Sequence, residues 1–184
     1  MRPIMSIIGS GGASCSPAQE VLAEQLGLGA IDAGFRICCG GRDGVMEAAC
    51  RGARSAPKYR EGDTIGILPG ADSQDANPFV DIVIPTGMGH ARNVMVVMAG
   101  QVVVAVAGGA GTLSELALAW QLGRPIIALS TAGGWASKLA GQGLDDRRAA
   151  IIWDATHPAQ AVSLAWRLCM QGHPPDRSQT ISKP

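Results

Sequence analysis

Residues 102–115 read VVVAVAGGAGTLSE, and this stretch decides the fold class. The β-branched run Val102–Val106 is typical of a buried strand, and the glycines that follow it indicate a tight turn. An apolar helical pattern then runs from Leu113 to about Leu122. A continuous apolar strand, a glycine-rich turn and a helix together predict one unit of a parallel α/β sheet.

The same unit recurs along the chain. Further strands are predicted at Ile4–Ile8, Phe35–Cys39, Ile65–Leu68, Val80–Ile84, Pro125–Leu129 and Ala150–Trp153. Further helices are predicted at residues 17–33, 44–53, 90–99 and 158–170, the first with a capping signature at Ser16, Pro17 and Gln19 and the second with Asp43 as N-cap. We therefore expect an α/β fold with a doubly wound, mostly parallel sheet, arranged as a Rossmann-like three-layer sandwich.

The length of 184 residues fits a single domain. A chain of this size buries roughly 70% of the surface that it exposes when unfolded, so it needs no disulfide or metal to form a core. We assign residues 1–170 to one Rossmann-like nucleotide- or phosphate-binding domain. Residues 171–184 are polar and contain prolines, and we expect a flexible tail there.

Charge and cysteine content exclude several classes of protein. The 15 Lys and Arg residues balance 15 Asp and Glu residues, whereas nucleic acids and anionic membranes are bound by clustered positive charge. We therefore expect neither as a partner. The cysteines lack zinc-ligand spacing, and we expect them to be reduced: Cys15, Cys38, Cys39, Cys50 and Cys169. No apolar run suits a secretion signal or a membrane span, so a cytoplasmic location is expected.

Glycine is abundant, with 25 residues, and much of it follows predicted strands. In a parallel sheet these turns meet at the carboxyl edge, where backbone N–H groups and helix N-termini bind anions. Tight turns alone would also explain each segment, but three segments on one edge favour a nucleotide or phosphosugar site. The candidate phosphate-binding residues are Gly9, Ser10, Gly11, Gly40, Gly41, Gly108, Gly109, Gly111 and Thr112. Other glycines, such as Gly27 and Gly123, are expected to end helices.

Several nucleotide chemistries are disfavoured by missing residues. A Walker loop needs Lys in the glycine-rich turn, and Lys58, Lys138 and Lys183 all lie elsewhere. The same three lysines are poorly placed for a pyridoxal phosphate Schiff base. The first loop lacks GxGxxG and the second strand ends without an acidic residue, which argues against a dinucleotide site. We expect no required cofactor and no metal site.

Glu115 and Arg92 are the candidate catalytic residues. The sequence Thr112-Leu113-Ser114-Glu115 also fits a capping box, in which Glu115 would only reach back to the Thr112 N–H. In the functional alternative, its carboxylate stabilises positive charge on a ribose ring above the glycine-rich turn. Arg92 suits bidentate phosphate recognition, although a lone Arg on a helix is often an exposed charge.

Two further candidates are less specific. His90 could contact the ligand, and we favour a capping or packing role for it. Glu47 either faces the site or lies on the exposed first turn of its helix. The apolar run Val94–Met98 is typical of a core or a subunit interface rather than a cofactor site.

Three separated motifs resemble the LOG-like (SLOG) superfamily, once grouped with lysine decarboxylases. They are GGxxGVME at residues 40–47, PTGMGHARN at residues 85–93 and AGGAGTLSE at residues 107–115. The resemblance spans about residues 4–129. Within the superfamily, the chain most resembles the molybdenum cofactor carrier proteins and the DprA/Smf-related family 1 proteins.

The resemblance implies two alternative functions. The phosphoribohydrolases of the superfamily carry PGGxGTxxE and an upstream Arg, matched here by Gly108, Gly109, Gly111, Thr112, Glu115 and Arg92, and they cleave nucleoside 5′-monophosphates into base and ribose 5-phosphate. The alternative is a carrier without catalysis, which binds molybdenum cofactor or a related phosphorylated ligand as cargo. Ala107 and Asn93 stand where the hydrolases have Pro and Lys, and Glu47 departs from their GLMG motif. The resemblance also implies a homodimer or homotetramer.

Overall fold

The computed structural model describes residues 2–146 and 150–170. Within these ranges the strands are β1 Ile4–Gly9, β2 Arg36–Cys39, β3 Thr64–Leu68, β4 Ile82–Pro85, β5 Val102–Val106, β6 Ile126–Leu129 and β7 Trp153–Ala155. The helices are α1 Pro17–Asp32, α2 Val45–Ser55, α3 Asn93–Ala99, α4 Ala110–Gln121, α5 Gly134–Leu139 and α6 Pro158–Met170. The predicted tail at residues 171–184 lies outside the described residues.

The strands form one parallel sheet in the order β4-β3-β2-β1-β5-β6-β7. The chain starts at β1 in the centre, builds outward to β4 on one side, and then returns to β5 on the other side of β1. The carboxyl ends of the two central strands lie level, since Gly9 pairs with Val106. The reversal between β1 and β5 is the position at which doubly wound sheets bind ligands. The predicted parallel, Rossmann-like fold is confirmed.

An apolar core lies on each face of the sheet. Helices cover both cores, so the sheet is the middle layer of the sandwich and the helices form the two outer layers. One face packs Met5, Ile7 and Val104 against α1, α2 and α6. The opposite face packs Ile8 and Val103 against α3, α4 and α5. Successive residues of each central strand therefore alternate between two buried faces, which explains why these strands are continuously apolar in sequence.

Helices α1 and α2 pack unusually closely on the first face. A side chain at Gly27 would meet the Ala49 carbonyl oxygen at 2.0 Å, and one at Gly52 would meet the Glu24 carbonyl oxygen at 1.9 Å. Gly27 therefore lies inside α1 as a packing residue, and the expectation that it ends a helix is wrong. Gly123 has a φ of +69° just beyond α4, as expected of a helix-ending glycine.

Some element boundaries differ from those predicted. Helix α4 begins at Ala110, three residues before Leu113, with Gly109 as its N-cap. Helix α2 has Gly44 as its N-cap, and Asp43 instead accepts a hydrogen bond from the Gly12 N–H at 3.0 Å. The predicted helix at residues 90–99 is a 3-10 turn at 89–92 followed by α3, the last strand lies at 153–155, and α5 is an additional helix. Among the described residues, no helix has both the length and the apolarity needed to cross a bilayer.

Candidate functional site

A pocket of about 340 Å³ opens at the carboxyl ends of β1, β2 and β5. It lies at the reversal of strand order, between the turn after β1, the turn after β2 and the start of α4. Its lining residues are Ile7, Ile8, Gly9, Ser10, Gly11, Ser14, Gly40, Met46, His90, Arg92, Asn93, Gly109, Ala110, Gly111, Thr112 and Glu115. The motifs at residues 40–47, 85–93 and 107–115 all contribute to it, although they are distant in sequence.

The N-terminus of α4 forms one wall of the pocket. Its N-cap, Gly109, provides no side-chain hydrogen bond, and its first turn carries no acidic residue. A Cβ atom placed on Gly109 or Gly111 would meet nothing within 4 Å, so the space in front of this helix end is open. The first N–H groups of an α-helix have no partner within the helix and carry partial positive charge. This wall can therefore bind an anion.

The turn that leads into α4 is held from two sides. The Ser10 hydroxyl oxygen accepts a hydrogen bond from the Gly108 N–H at 3.1 Å, and the Thr112 hydroxyl donates to the Gly9 carbonyl oxygen at 3.1 Å. The carbonyl oxygens of Ala107 and Gly108 accept hydrogen bonds from the N-terminus of α5. These contacts fix the helix end against the turn after β1 and preorganise the anion-binding wall.

Arg92 lies across the pocket, at the end of the 3-10 turn that precedes α3. Its guanidinium lies against Gly40, where a Cβ atom would be 2.6 Å from Nη1. The Arg92 side chain is only 11% exposed. Its Nε atom is buried without a hydrogen-bond partner, and the Glu115 carboxylate, its ion-pair partner among the described residues, is 3.8 Å away. Because buried polar groups are usually hydrogen-bonded, the unpaired Nε atom makes Arg92 a candidate anion-binding residue.

Glu115 is a buried carboxyl in the second turn of α4, and its side chain is 10% exposed. Burial raises the pKa of Glu115 to about 7, and the positive charge of Arg92 opposes this rise. Since α4 begins at Ala110, Glu115 lies too far along the helix to cap it, and the capping-box interpretation is wrong. Thr112 uses its hydroxyl for Gly9 instead. Glu115 is therefore buried in the pocket wall without serving as a helix cap.

Three candidate residues do not line this pocket. Gly41, with a φ of +72°, lies against Leu68 and the backbone of Gly66 in β3 and thus faces the sheet. Gly108 lies behind the pocket wall, where a Cβ atom would meet Thr112 at 2.4 Å. Glu47 is partly buried on α2, with its carboxylate 3.9 Å from Arg51. The other candidates, His90 included, all line the pocket, and their roles remain predictions.

Sequence reasoning missed several lining residues, of which Met46 and Asn93 are the most informative. The Met46 sulfur lies against Gly40, 2.7 Å from the position of a Cβ atom there, beside the Arg92 guanidinium. The Asn93 side-chain amide donates to the Ser114 hydroxyl at 3.2 Å and so ties α3 to α4. Met46 lies in the motif at 40–47 and Asn93 in the motif at 85–93. Membership of these motifs is the sequence feature that could have identified both as site residues.

Behind Gly40 lie two thiols, Cys39 and Cys50, with sulfur atoms 3.7 Å apart. The hydrogen bond from Cys50 lowers the pKa of Cys39, and burial raises that of the neighbouring Cys38. All five cysteines are free thiols. Within residues 2–146 and 150–170, no three His, Cys, Asp or Glu side chains come together as a metal site would require.

The motifs and this pocket define the class of protein. Residues 2–162 match the SLOG cluster4 family, and the chain belongs to that family. An uncharacterised protein from Archaeoglobus fulgidus is 37% identical over 125 residues, which are 68% of this chain and 78% of that protein.

Two solved structures of molybdenum cofactor proteins are also similar. The molybdenum cofactor carrier protein of Chlamydomonas reinhardtii is 33% identical, with a TM-score of 0.76 over 94% of this chain and all of the other. The molybdenum cofactor binding protein of Rippkaea orientalis is 32% identical, with a TM-score of 0.71 over 89% of this chain and 95% of the other. DNA processing protein A of Helicobacter pylori shares the fold alone, at 18% identity and a TM-score of 0.65 over 90% of this chain and 81% of the other.

Proposed function

We propose that this protein binds a phosphorylated small molecule in the pocket and acts as a carrier for molybdenum cofactor or a closely related ligand. The observation that carries the proposal is the buried Arg92 guanidinium, whose Nε atom has no hydrogen-bond partner in the described part of the chain and which lines the same pocket as the open N-terminus of α4. A phosphate group between these two would accept hydrogen bonds from both.

The similar structures support the choice of ligand. Two proteins that are 32–33% identical to this chain over about nine-tenths of its length are described as carrying or binding molybdenum cofactor. That cofactor bears a phosphate group, for which the α4 wall and Arg92 are suitable partners. The remaining lining includes the thioether of Met46, which can pack against an uncharged ring of the ligand.

In this proposal each group has a separate task. The backbone N–H groups of residues 110–112 donate to the phosphate, and the absence of side chains at Gly109 and Gly111 lets it approach them. Arg92 neutralises its charge, and Gly40 leaves room for the guanidinium. Ser10 and Thr112 hold the two turns in place, which limits the conformational entropy lost on binding.

The test is retention of the cofactor by the purified protein. Molybdenum cofactor freshly released from a molybdenum enzyme is mixed with the protein, free cofactor is removed by gel filtration, and bound pterin is measured by fluorescence after oxidation. We expect retention at near one cofactor per chain, and strong loss in Arg92→Met. Retention no greater than that of Arg92→Met would overturn the proposal.

A second candidate function is hydrolysis of the N-glycosidic bond of a nucleoside 5′-monophosphate. The buried carboxyl of Glu115 favours it, because this side chain does not cap α4 and lies 3.8 Å from Arg92 in the same pocket. In such a reaction the ionised carboxylate would stabilise an oxocarbenium-like ribose, as carboxylates do in glycoside hydrolysis. Base and ribose 5-phosphate would be the products.

Hydrolysis is tested by incubating the protein with AMP, other nucleoside monophosphates and N6-modified AMP and following free base by chromatography. The matched control is Glu115→Gln, which keeps the size of the side chain. Base release that disappears in this variant would support an enzyme. Release no greater than in the variant would eliminate hydrolysis of these substrates and leave the carrier proposal intact.

A homodimer or homotetramer is also proposed. Helix α3 supports it, because Met98 is half exposed at the end of the apolar run Val94–Met98, for which the sequence predicts a core or an interface. Sedimentation equilibrium across a range of protein concentrations tests the proposal. A monomer at all concentrations would exclude it.

A further inference from the structure

We propose that the pocket takes up a dianionic phosphate monoester together with one proton, which is held by the Glu115 carboxyl. This inference rests on the proposed phosphate site and adds the charge class of its ligand and the conditions for release. A ligand bound in this way leaves the pocket as the pH rises, because the proton must leave with it.

The first argument is geometric. Glu115 is nearly fully buried, and Arg92 is its ion-pair partner in the described part of the chain, at a distance too long for a hydrogen bond. Both side chains line the same pocket as the open end of α4. A phosphate bound to Arg92 therefore comes within a few ångströms of the Glu115 carboxyl. Two buried anions sharing one guanidinium repel each other, and protonation of the weaker acid relieves this repulsion.

The second argument is charge balance. Arg92 contributes one positive charge and the N-terminus of α4 contributes roughly half a charge. With Glu115 ionised, the pocket carries a net charge of only about +0.5 against a dianion. With Glu115 protonated the net charge is about +1.5. The protonated pocket matches a phosphate monoester far better, and the neutral carboxyl can also donate a hydrogen bond to the phosphate.

The third argument concerns the proton affinity of the empty pocket. Burial already raises the pKa of Glu115 to about 7, so the carboxyl is close to half protonated at neutral pH before any ligand arrives. A bound anion raises the pKa further. Above pH 7 the ligand therefore binds together with a proton. In this pH range the affinity for the ligand falls by up to tenfold for each pH unit.

Other titratable groups face Glu115 and must be distinguished from it. They are Arg92 and His90 from the 3-10 turn, and Cys38 and Cys39 from β2. Cys38 stays a neutral thiol because burial raises its pKa. Cys39 is hydrogen-bonded to Cys50 behind Gly40. His90 lines the pocket, so its variant serves as a control in the experiment below.

The experiment uses sulfate, which keeps a charge of −2 throughout the pH range and cannot supply or take the proton itself. Isothermal titration calorimetry of the full chain at pH 7.5, in buffers with different ionisation enthalpies, counts the protons taken up for each sulfate bound. We expect between half a proton and one proton. Titrations from pH 6 to pH 9 should show an affinity that is constant at the acid end and falls above pH 7.

Matched variants assign the proton to its group. Glu115→Gln should take up no proton, bind sulfate with the same affinity at pH 6 and pH 8.5, and exceed the original protein at pH 8.5 by at least tenfold. His90→Gln and Cys39→Ser should keep the uptake and the pH dependence of the original protein. A proton that disappears in His90→Gln or Cys39→Ser but persists in Glu115→Gln would overturn the inference.

The charge class is tested with AMP and 3′,5′-cyclic AMP at pH 7.5, where AMP is almost entirely a dianion, since the two share base and sugar but the second is a monoanionic diester. AMP should bind at least tenfold more tightly. Equal affinities would overturn the monoester assignment. Sulfate or AMP binding without proton uptake would refute this inference and leave the proposed phosphate site standing, whereas no binding of either anion at any pH would overturn both.

Discussion

Nη1 of Arg92 lies 3.8 Å from Oε1 of Glu115, which is close enough for an ion pair and too far for a hydrogen bond. Both side chains are about nine-tenths buried, and each belongs to a different motif. Neither group satisfies the other, and burial of such a pair without further partners destabilises a protein. In the proposed function, this pair belongs to a ligand site that is maintained at the expense of stability.

Replacement of Arg92 by Met should therefore abolish binding without harming the fold. The substitution removes a buried cation whose Nε atom has no hydrogen-bond partner and fills its space with apolar atoms. At pH 6, where Glu115 is mostly protonated, we expect the free energy of unfolding in urea to change by less than about 1 kcal/mol. Calorimetry should show a loss of affinity for inorganic phosphate of at least tenfold.

The control for Arg92→Met is Arg54→Met. The Arg54 guanidinium donates to Asp81 at 2.8 Å and to Tyr59 at 3.2 Å, so its loss should reduce stability by about 1 kcal/mol and leave phosphate binding unchanged. If Arg92→Met were the more destabilising of the two, Arg92 would be a structural residue and not one held for a ligand.

Stability should depend on the ionisation of Glu115. Its pKa of about 7 in the folded protein lies above the usual 4.5. The unfolded state thus loses this proton first as the pH rises, and the stabilisation present below pH 4.5 is lost progressively up to about pH 7. Relative to the original protein, Glu115→Gln should gain stability between pH 5 and pH 8, by on the order of 2 kcal/mol.

Urea unfolding at pH 5, 6, 7 and 8 measures this difference. Glu47→Gln serves as the control, because the Glu47 carboxylate lies beside Arg51 on α2 and outside the pocket. Parallel profiles for the original protein and Glu115→Gln would show that the Glu115 carboxyl titrates normally in the fold.

Local sequence signals predict most of this fold. An apolar run followed by glycine and then a helical pattern locates β1, β2 and β5 within one or two residues, because buried parallel strands are apolar on both faces. The start of α4 was predicted incorrectly, at Leu113 instead of Ala110. The glycines at residues 108, 109 and 111 disfavour a helix by propensity, and the helix nevertheless begins at Ala110, where Ser10 and the N-terminus of α5 hold the preceding turn from outside.

The site is only partly predictable for a similar reason. The glycine-rich turns, Arg92 and Glu115 can be identified from their motifs, yet the sequence does not determine which glycine serves which purpose. Gly40 leaves room for the Arg92 guanidinium, whereas its neighbour Gly41 packs against β3. Such differences depend on contacts between segments more than 20 residues apart, and only the folded arrangement reveals them.

Replacement by alanine should have opposite effects on stability at two glycines of the same turn. Gly111 is in the first turn of α4 with open space around it, so Gly111→Ala should raise stability by up to about 1 kcal/mol, as expected for a helix position. The same methyl group intrudes on the phosphate position and should weaken phosphate binding at least fivefold.

Gly108→Ala, in contrast, should lower the stability of the fold. Gly108 has a φ of +97°, and a Cβ atom there would lie 2.4 Å from the Thr112 side chain, so a loss of roughly 1 to 3 kcal/mol is expected. Urea unfolding and phosphate titration of both variants separate the two effects. Unimpaired phosphate binding by a stable Gly111→Ala protein would place the anion elsewhere.

Ala107 provides the sharpest test of how this turn differs from that of the phosphoribohydrolases. It is the non-glycine residue with positive φ in the described part of the chain, at +57°. Proline, which those enzymes carry at the matching position of their motif, is restricted to a φ near −65° and cannot adopt this conformation. Ala107→Pro should therefore reduce stability by about 3 kcal/mol or more, while Ala107→Gly should increase it by about 1 kcal/mol.

Urea unfolding followed by circular dichroism measures both Ala107 variants, and phosphate titration of Ala107→Gly shows whether the pocket is retained. The carbonyl oxygens of Ala107 and Gly108 accept hydrogen bonds from the start of α5, so a proline that rotates this turn also releases α5 and redirects the N-terminus of α4. If Ala107→Pro were as stable as the original protein, the turn would accommodate a φ near −65°, and the positive φ of Ala107 would not be required by the fold.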